Sequence, residues 1–144
     1  MKILVSACLL GENCKYNGGN NFSAAAARLA QDHQVIRVCP EVLAGLGIPR
    51  TPIEIVNGVL TDRKGKCVDD VLRKTVAELV AGLKNQKIDC AILQSRSPTC
   101  GVNQVYDGTF TGKLIPGMGV FARGLEDAGI KVIDVEDITN EQFS

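Results

Sequence analysis

A chain of 144 residues, 45% hydrophobic and 22% charged, can bury a substantial core and is expected to form one domain over 1–144. Its 16 Lys and Arg balance its 16 Asp and Glu, so no bulk field draws it to DNA or to an anionic membrane, and neither partner is expected. With no apolar run near the roughly 18–20 residues that span a bilayer and no small-residue cleavage site after the first strand, the expected location is cytoplasmic, where six cysteines suggest metal binding or catalysis rather than disulfides.

Residues 2–9 form a nearly continuous apolar run, which predicts a strand buried on both faces. A glycine-rich turn follows, then Ser23 as N-cap of an alanine-rich helix ending near Asp32 or His33. Residues 34–39 predict a second strand that stops at Pro40. The stretch 40–52, broken by prolines and glycines, predicts irregular chain with one helical turn over 41–46. A hairpin over 53–61 is centred on Asn57-Gly58. Val68, Val71, Leu72, Val76, Leu79, Val80 and Leu83 then recur at helical spacing, with acids at the start and Lys84 near the end. A third strand over 88–93, a mostly looped stretch over 95–119, a helix over 120–128 closed by Gly129, and a fourth strand over 131–135 complete the pattern. This alternation predicts a three-layer α/β/α sandwich with a mostly parallel, Rossmann-like sheet.

Open parallel sheets bind ligands outside the carboxyl ends of their strands. Cys8 and Cys39 end the first two expected strands, and Cys100 lies in the loop after the third, so three sequence-distant thiols can meet at one sheet edge. Three thiolates suit zinc or an iron–sulfur cluster and leave one coordination position open, whereas Cys14 as a fourth would close a zinc site. A reversible Cys8–Cys14 disulfide in a redox sensor is the metal-free alternative, and scattered structural cysteines the plainest one. Cys90 reads as a core residue and Cys67 as incidental.

Glu41, two residues after Cys39, either moves protons at the mouth of such a site or caps a short helix. Ser97 either bonds a substrate or starts a turn. Arg50 and Arg96 either grip an anion or pair at the surface. The lone His33 argues against a histidine-dependent triad, and Gly11, Gly18 and Gly19 fit neither phosphate-binding glycine pattern. Residues 102–119 are glycine-rich enough for a flap or a plain surface loop.

Four segments, SACLLGENCKYNGG (6–19), CPEVLAGLGIPR (39–50), SPTCG (97–101) and YDGTFTGKLIPGMGV (106–120), occur in the order characteristic of one bacterial family. Over nearly its whole length the chain resembles the domain-of-unknown-function family numbered 523, whose characterised members are thiouracil desulfurases. The resemblance implies a [4Fe-4S] cluster on Cys8, Cys39 and Cys100, with the fourth iron open to the sulfur of a thiolated base or nucleoside. It implies Glu41 and Ser97 as the residues assisting protonation and water attack, in a redox-neutral hydrolysis of a substrate such as 2-thiouracil to uracil and sulfide. Gln94 in place of a frequent lysine, Thr99 in place of a frequent serine, and KYNG at 15–18 in place of RYDG depart from the family pattern.

Overall fold

The computed structural model describes residues 1–138. The expected domain runs to 144, and its last stretch, 139–144, lies outside the described residues.

In chain order the elements are β1 (Lys2–Ser6), α1 (Ala24–Asp32), β2 (Gln34–Val38), α2 (Pro40–Leu43), β3 (Ile53–Val56), β4 (Val59–Asp62), α3 (Asp69–Lys84), β5 (Cys90–Leu93), β6 (Gln104–Tyr106), β7 (Leu114–Pro116), α4 (Val120–Asp127) and β8 (Lys131–Asp134). The central sheet is four-stranded and wholly parallel, in the order β2-β1-β5-β8. Strand order therefore reverses between β1 and β5: the first crossover steps to one side of β1, and the next returns past it. The loops at that reversal diverge and leave a crevice at the carboxyl edge.

Alternation along β1 divides the core into layers. Ile3 and Val5, both fully buried, face α1 through Ala26 and Leu29. Leu4 faces the opposite side, where Val76 and Leu83 of α3 and Phe121 and Leu125 of α4 cover it. Helices on both faces are why β1 and β5 carry apolar side chains at successive positions instead of every second one. The expected three-layer sandwich is thus the observed architecture. Among the described residues no helix is long and apolar enough to cross a membrane.

Ser23 caps α1 as expected, its Oγ accepting the Ala26 N–H at 3.2 Å. The β3–β4 hairpin turns on Asn57 (φ 51°) and Gly58 (φ 80°), both left-handed, as a twist-matched two-residue turn requires. Several boundaries differ from expectation. β1 stops at Ser6, and 7–10 coil into a 3-10 turn that tucks Leu9 under α1 while Cys8 stays half-buried. β2 ends at Val38, one residue before Cys39. β5 starts only at Cys90. Val71, counted on the apolar face of α3, is 43% exposed. The stretch 95–119 holds an antiparallel hairpin, β6–β7, where loop was expected.

Candidate metal centre and its cavity

Three chain segments carry Cys8, Cys39 and Cys100 to the crevice. The first is the 3-10 turn after β1, where the Cys8 carbonyl accepts the N–H groups of Gly11 (3.3 Å) and Asn21 (3.0 Å). The Asn21 amide also donates to Cys8 Sγ at 3.5 Å. The second is the start of α2. Cys39 occupies its N-cap, and Pro40 at the first helical position fixes the turn that aims Cys39 and Glu41 at the same side.

The third is the loop 97–101 after β5. Ser97 Oγ accepts the N–H groups of Thr99 (3.1 Å) and Cys100 (3.0 Å), and the carbonyls of Pro98 and Thr99 accept N–H groups of Val120 (3.0 Å) and Phe121 (2.8 Å). The opening turn of α4 is thereby satisfied by the cysteine loop itself, which docks that loop rigidly on the helix. The contact leaves no space at Gly119, where an added Cβ would run into the backbone of Thr99 and Cys100.

Cys8, Cys14, Cys39 and Cys100 all line one cavity of about 530 Å³, together with Glu41 and Ser97. That volume lies within the usual range for small-molecule sites, roughly 300–1,000 Å³. Cys90 is in the core and Cys67 is exposed, both apart from the cavity, and all six thiols are unpaired. Burial pushes the Cys8 thiol up, with the neighbouring Cys39 adding to it against the Asn21 hydrogen bond. Burial likewise pushes up Cys100, against a hydrogen bond from Ser6, while Cys8, Glu41 and Cys39 reinforce the rise. Cys14 is pushed up to about 12 by burial and then by Cys39 and Cys8. The thiols are close enough to resist one another's ionisation, so a cation among them is what would stabilise the thiolates together.

Glu41 is held at both oxygens. Arg50 Nε donates to Oε1 at 3.1 Å, and Thr99 Oγ1 donates to Oε2 at 2.9 Å. Arg50 also donates to the carbonyls of Gly47 (3.0 Å) and Cys14 (2.9 Å), so one buried guanidinium ties three parts of the cavity wall together. Both arginines line the cavity, Arg50 buried in its wall and Arg96 at its exposed side, where it pairs with Glu136. Thr99, 1% exposed, was visible in the sequence only as a departure from the family pattern; its place beside Cys100 was the available signal. Arg63, Tyr106 and Phe110 also line the cavity; Tyr106 and Phe110 lie within the 106–120 family segment, whereas nothing in the sequence marked Arg63.

Among the described residues no three His, Cys, Asp or Glu side chains crowd closely enough to grip one metal ion. A multi-iron cluster attaches each thiolate to a different iron and so takes its ligands at wider separation than a single ion does. Thiols that converge from separate segments on one cavity suit that donor arrangement.

A parallel α/β sandwich with a thiol-walled ligand cavity at the reversal of strand order is the class of protein these features define. The chain belongs to the 2-thiouracil desulfurase family, whose model matches residues 3–137. Bacillus subtilis (strain 168) YbbK, an uncharacterised protein, is 35% identical over 148 residues, covering 96% of this chain and 98% of its own. A solved structure described as the [4Fe-4S]-dependent thiouracil desulfidase TudS superposes with a TM-score of 0.87 at 31% identity, over 95% of this chain and 92% of that one.

Proposed function

We propose that the protein is a cytoplasmic, [4Fe-4S]-dependent desulfurase that replaces the sulfur of a thiolated base or nucleoside, such as 2-thiouracil, by oxygen from water and releases sulfide. The observation that carries this reading is the convergence of Cys8, Cys39 and Cys100 on one cavity that also holds the doubly bonded Glu41. Family membership and the likeness to TudS support it.

Cys8, Cys39 and Cys100 would hold the cluster. When bound there, it supplies a Lewis acid with one coordination position left for sulfur. Glu41 has both oxygens anchored by single hydrogen bonds, and each retains capacity to accept another. It is therefore fixed in direction and still able to take a proton from water attacking the thiocarbonyl carbon. Ser97 Oγ accepts from two backbone N–H groups, so what it has left to offer a substrate is its hydroxyl proton. Overall C=S and water become C=O and hydrogen sulfide, with no change in oxidation state.

The test is anaerobic reconstitution followed by iron and sulfide analysis and desulfuration of a panel of thiolated bases, nucleosides and small thioamides. Cys39→Ser is expected to lose the cluster, and Glu41→Ala to keep the cluster and lose turnover. A protein that accepts no cluster refutes the reading.

A further inference from the structure

The loop 107–112, between β6 and β7, contains a feature that holding a cluster does not require. Phe110 has φ 58°, a left-handed conformation that is uncommon for any side chain and unfavourable for a bulky one. Phe110 lines the thiol cavity and belongs to none of the apolar clusters of the core, so core packing does not account for it.

The strain is held from beneath. Glu54 on β3 is 7% exposed, and its Oε1 accepts the N–H groups of both Gly108 (2.9 Å) and Phe110 (3.1 Å). Gly108 has φ 92° and lies so close to β3 that an added Cβ would stand 2.6 Å from the Ile55 carbonyl oxygen. Asp107 braces the same loop by accepting the Thr109 N–H at 3.0 Å and the Thr109 hydroxyl at 2.5 Å. A buried carboxylate, a glycine that admits no side chain and an aspartate turn thus fix one aromatic residue in an unfavourable backbone state at the cavity wall. Such over-determined strain concentrates at ligand clamps.

We propose that Phe110 is the stacking platform for the planar heterocycle of the substrate. This rests on the desulfurase reading and deepens it, because it selects a flat conjugated ring over an open-chain thioamide. A π face recognises pyrimidines by shape, without hydrogen-bond readout, so the platform serves thiolated bases as a class.

The test uses reconstituted protein whose iron content and visible absorption match wild type, in the variants Phe110→Ala, Phe110→Leu and Phe110→Tyr. Two quantities are read: the ratio of kcat/KM for 2-thiouracil over that for thiourea, which carries the same N–C(=S)–N unit without the ring, and the calorimetric Kd for uracil. Losing one base–aromatic stack corresponds to roughly 5- to 150-fold. The ratio is expected to fall, and the uracil Kd to rise, by that factor in Phe110→Ala and Phe110→Leu, with both restored in Phe110→Tyr. Leucine keeps apolar bulk without a π face, so its loss separates stacking from filling.

Equal losses on 2-thiouracil and thiourea, or an unchanged uracil Kd in Phe110→Leu, overturn the platform while leaving the desulfurase reading intact. A wild type that turns over no thiolated compound yet binds uracil through Phe110 ends the desulfurase reading and sustains the platform.

Discussion

Thr99→Val tests whether Glu41 acts as an oriented base. Thr99 is 1% exposed, and valine matches its shape while removing only the hydroxyl that donates to Glu41 Oε2 at 2.9 Å. A hydrogen bond to a charged group contributes about 1.5–3 kcal/mol. If Glu41 must be aimed in the transition state, losing that bond lowers kcat by roughly 10- to 150-fold. Arg50 still holds Oε1, so the carboxylate stays in the cavity but swings about one anchor, and KM should change little. Thr99→Ser, which keeps the hydroxyl, should retain most of kcat. The assay is steady-state desulfuration of 2-thiouracil with iron content measured in parallel. A Thr99→Val enzyme with wild-type kcat refutes the orientation argument; loss of iron would move the role of Thr99 to holding the Cys100 loop.

Cys14→Ser should keep the iron–sulfur cluster while Cys39→Ser loses it, by iron analysis; loss in both would mean a four-thiolate site. Gly119→Ala drives a methyl into the backbone of Thr99 and Cys100 and should destabilise the fold by about 1–3 kcal/mol in denaturant unfolding, with cluster occupancy falling alongside. Asp69 at the start of α3 accepts the Leu60 N–H at 2.9 Å and pairs with Arg73 at 2.8 Å. Burial alone would raise its carboxyl, yet these two partners hold it below its ordinary value of 3.8. Its contribution to stability is therefore complete above that value and lost as pH falls through the lower folded value. Asp69→Ala should cost about 1–2 kcal/mol at neutral pH by leaving the Leu60 N–H unpaired, and the gap to wild type should narrow below pH 3.8.

What the sequence could and could not reveal follows from how far each signal reaches. The parallel strands were legible because Ile3, Leu4, Val5 and 91–93 are buried on both faces and leave unbroken apolar runs. The same run misplaced Cys8. Leu9 is apolar because α1 covers it, and an apolar residue in a 3-10 turn looks like one more strand position. The β6–β7 hairpin was illegible for the opposite reason: its strands have three residues each, and of their side chains only Val105 is buried, so no alternation develops.

The site divides along the same line. That Cys8, Cys39 and Cys100 meet followed from topology, since Cys8 and Cys39 lie just beyond parallel strands, Cys100 lies in the loop that follows a third, and the carboxyl ends of parallel strands share an edge. Arg50 had no such rule, because its role is set by partners separated in the chain. Its guanidinium reaches Glu41, the Gly47 carbonyl and the Cys14 carbonyl, and its own N–H donates to the Tyr16 carbonyl at 2.7 Å. The Cys39 thiol also contacts the Cys14 carbonyl, at 3.9 Å. Cys14 is thus fixed to the site by its backbone as much as by its sulfur. Replacing its thiol leaves those carbonyl contacts in place, whereas replacing Arg50 releases the Cys14 segment and Glu41 together. Arg50→Lys, which keeps the charge but not the fork, should therefore impair turnover more than Cys14→Ser does.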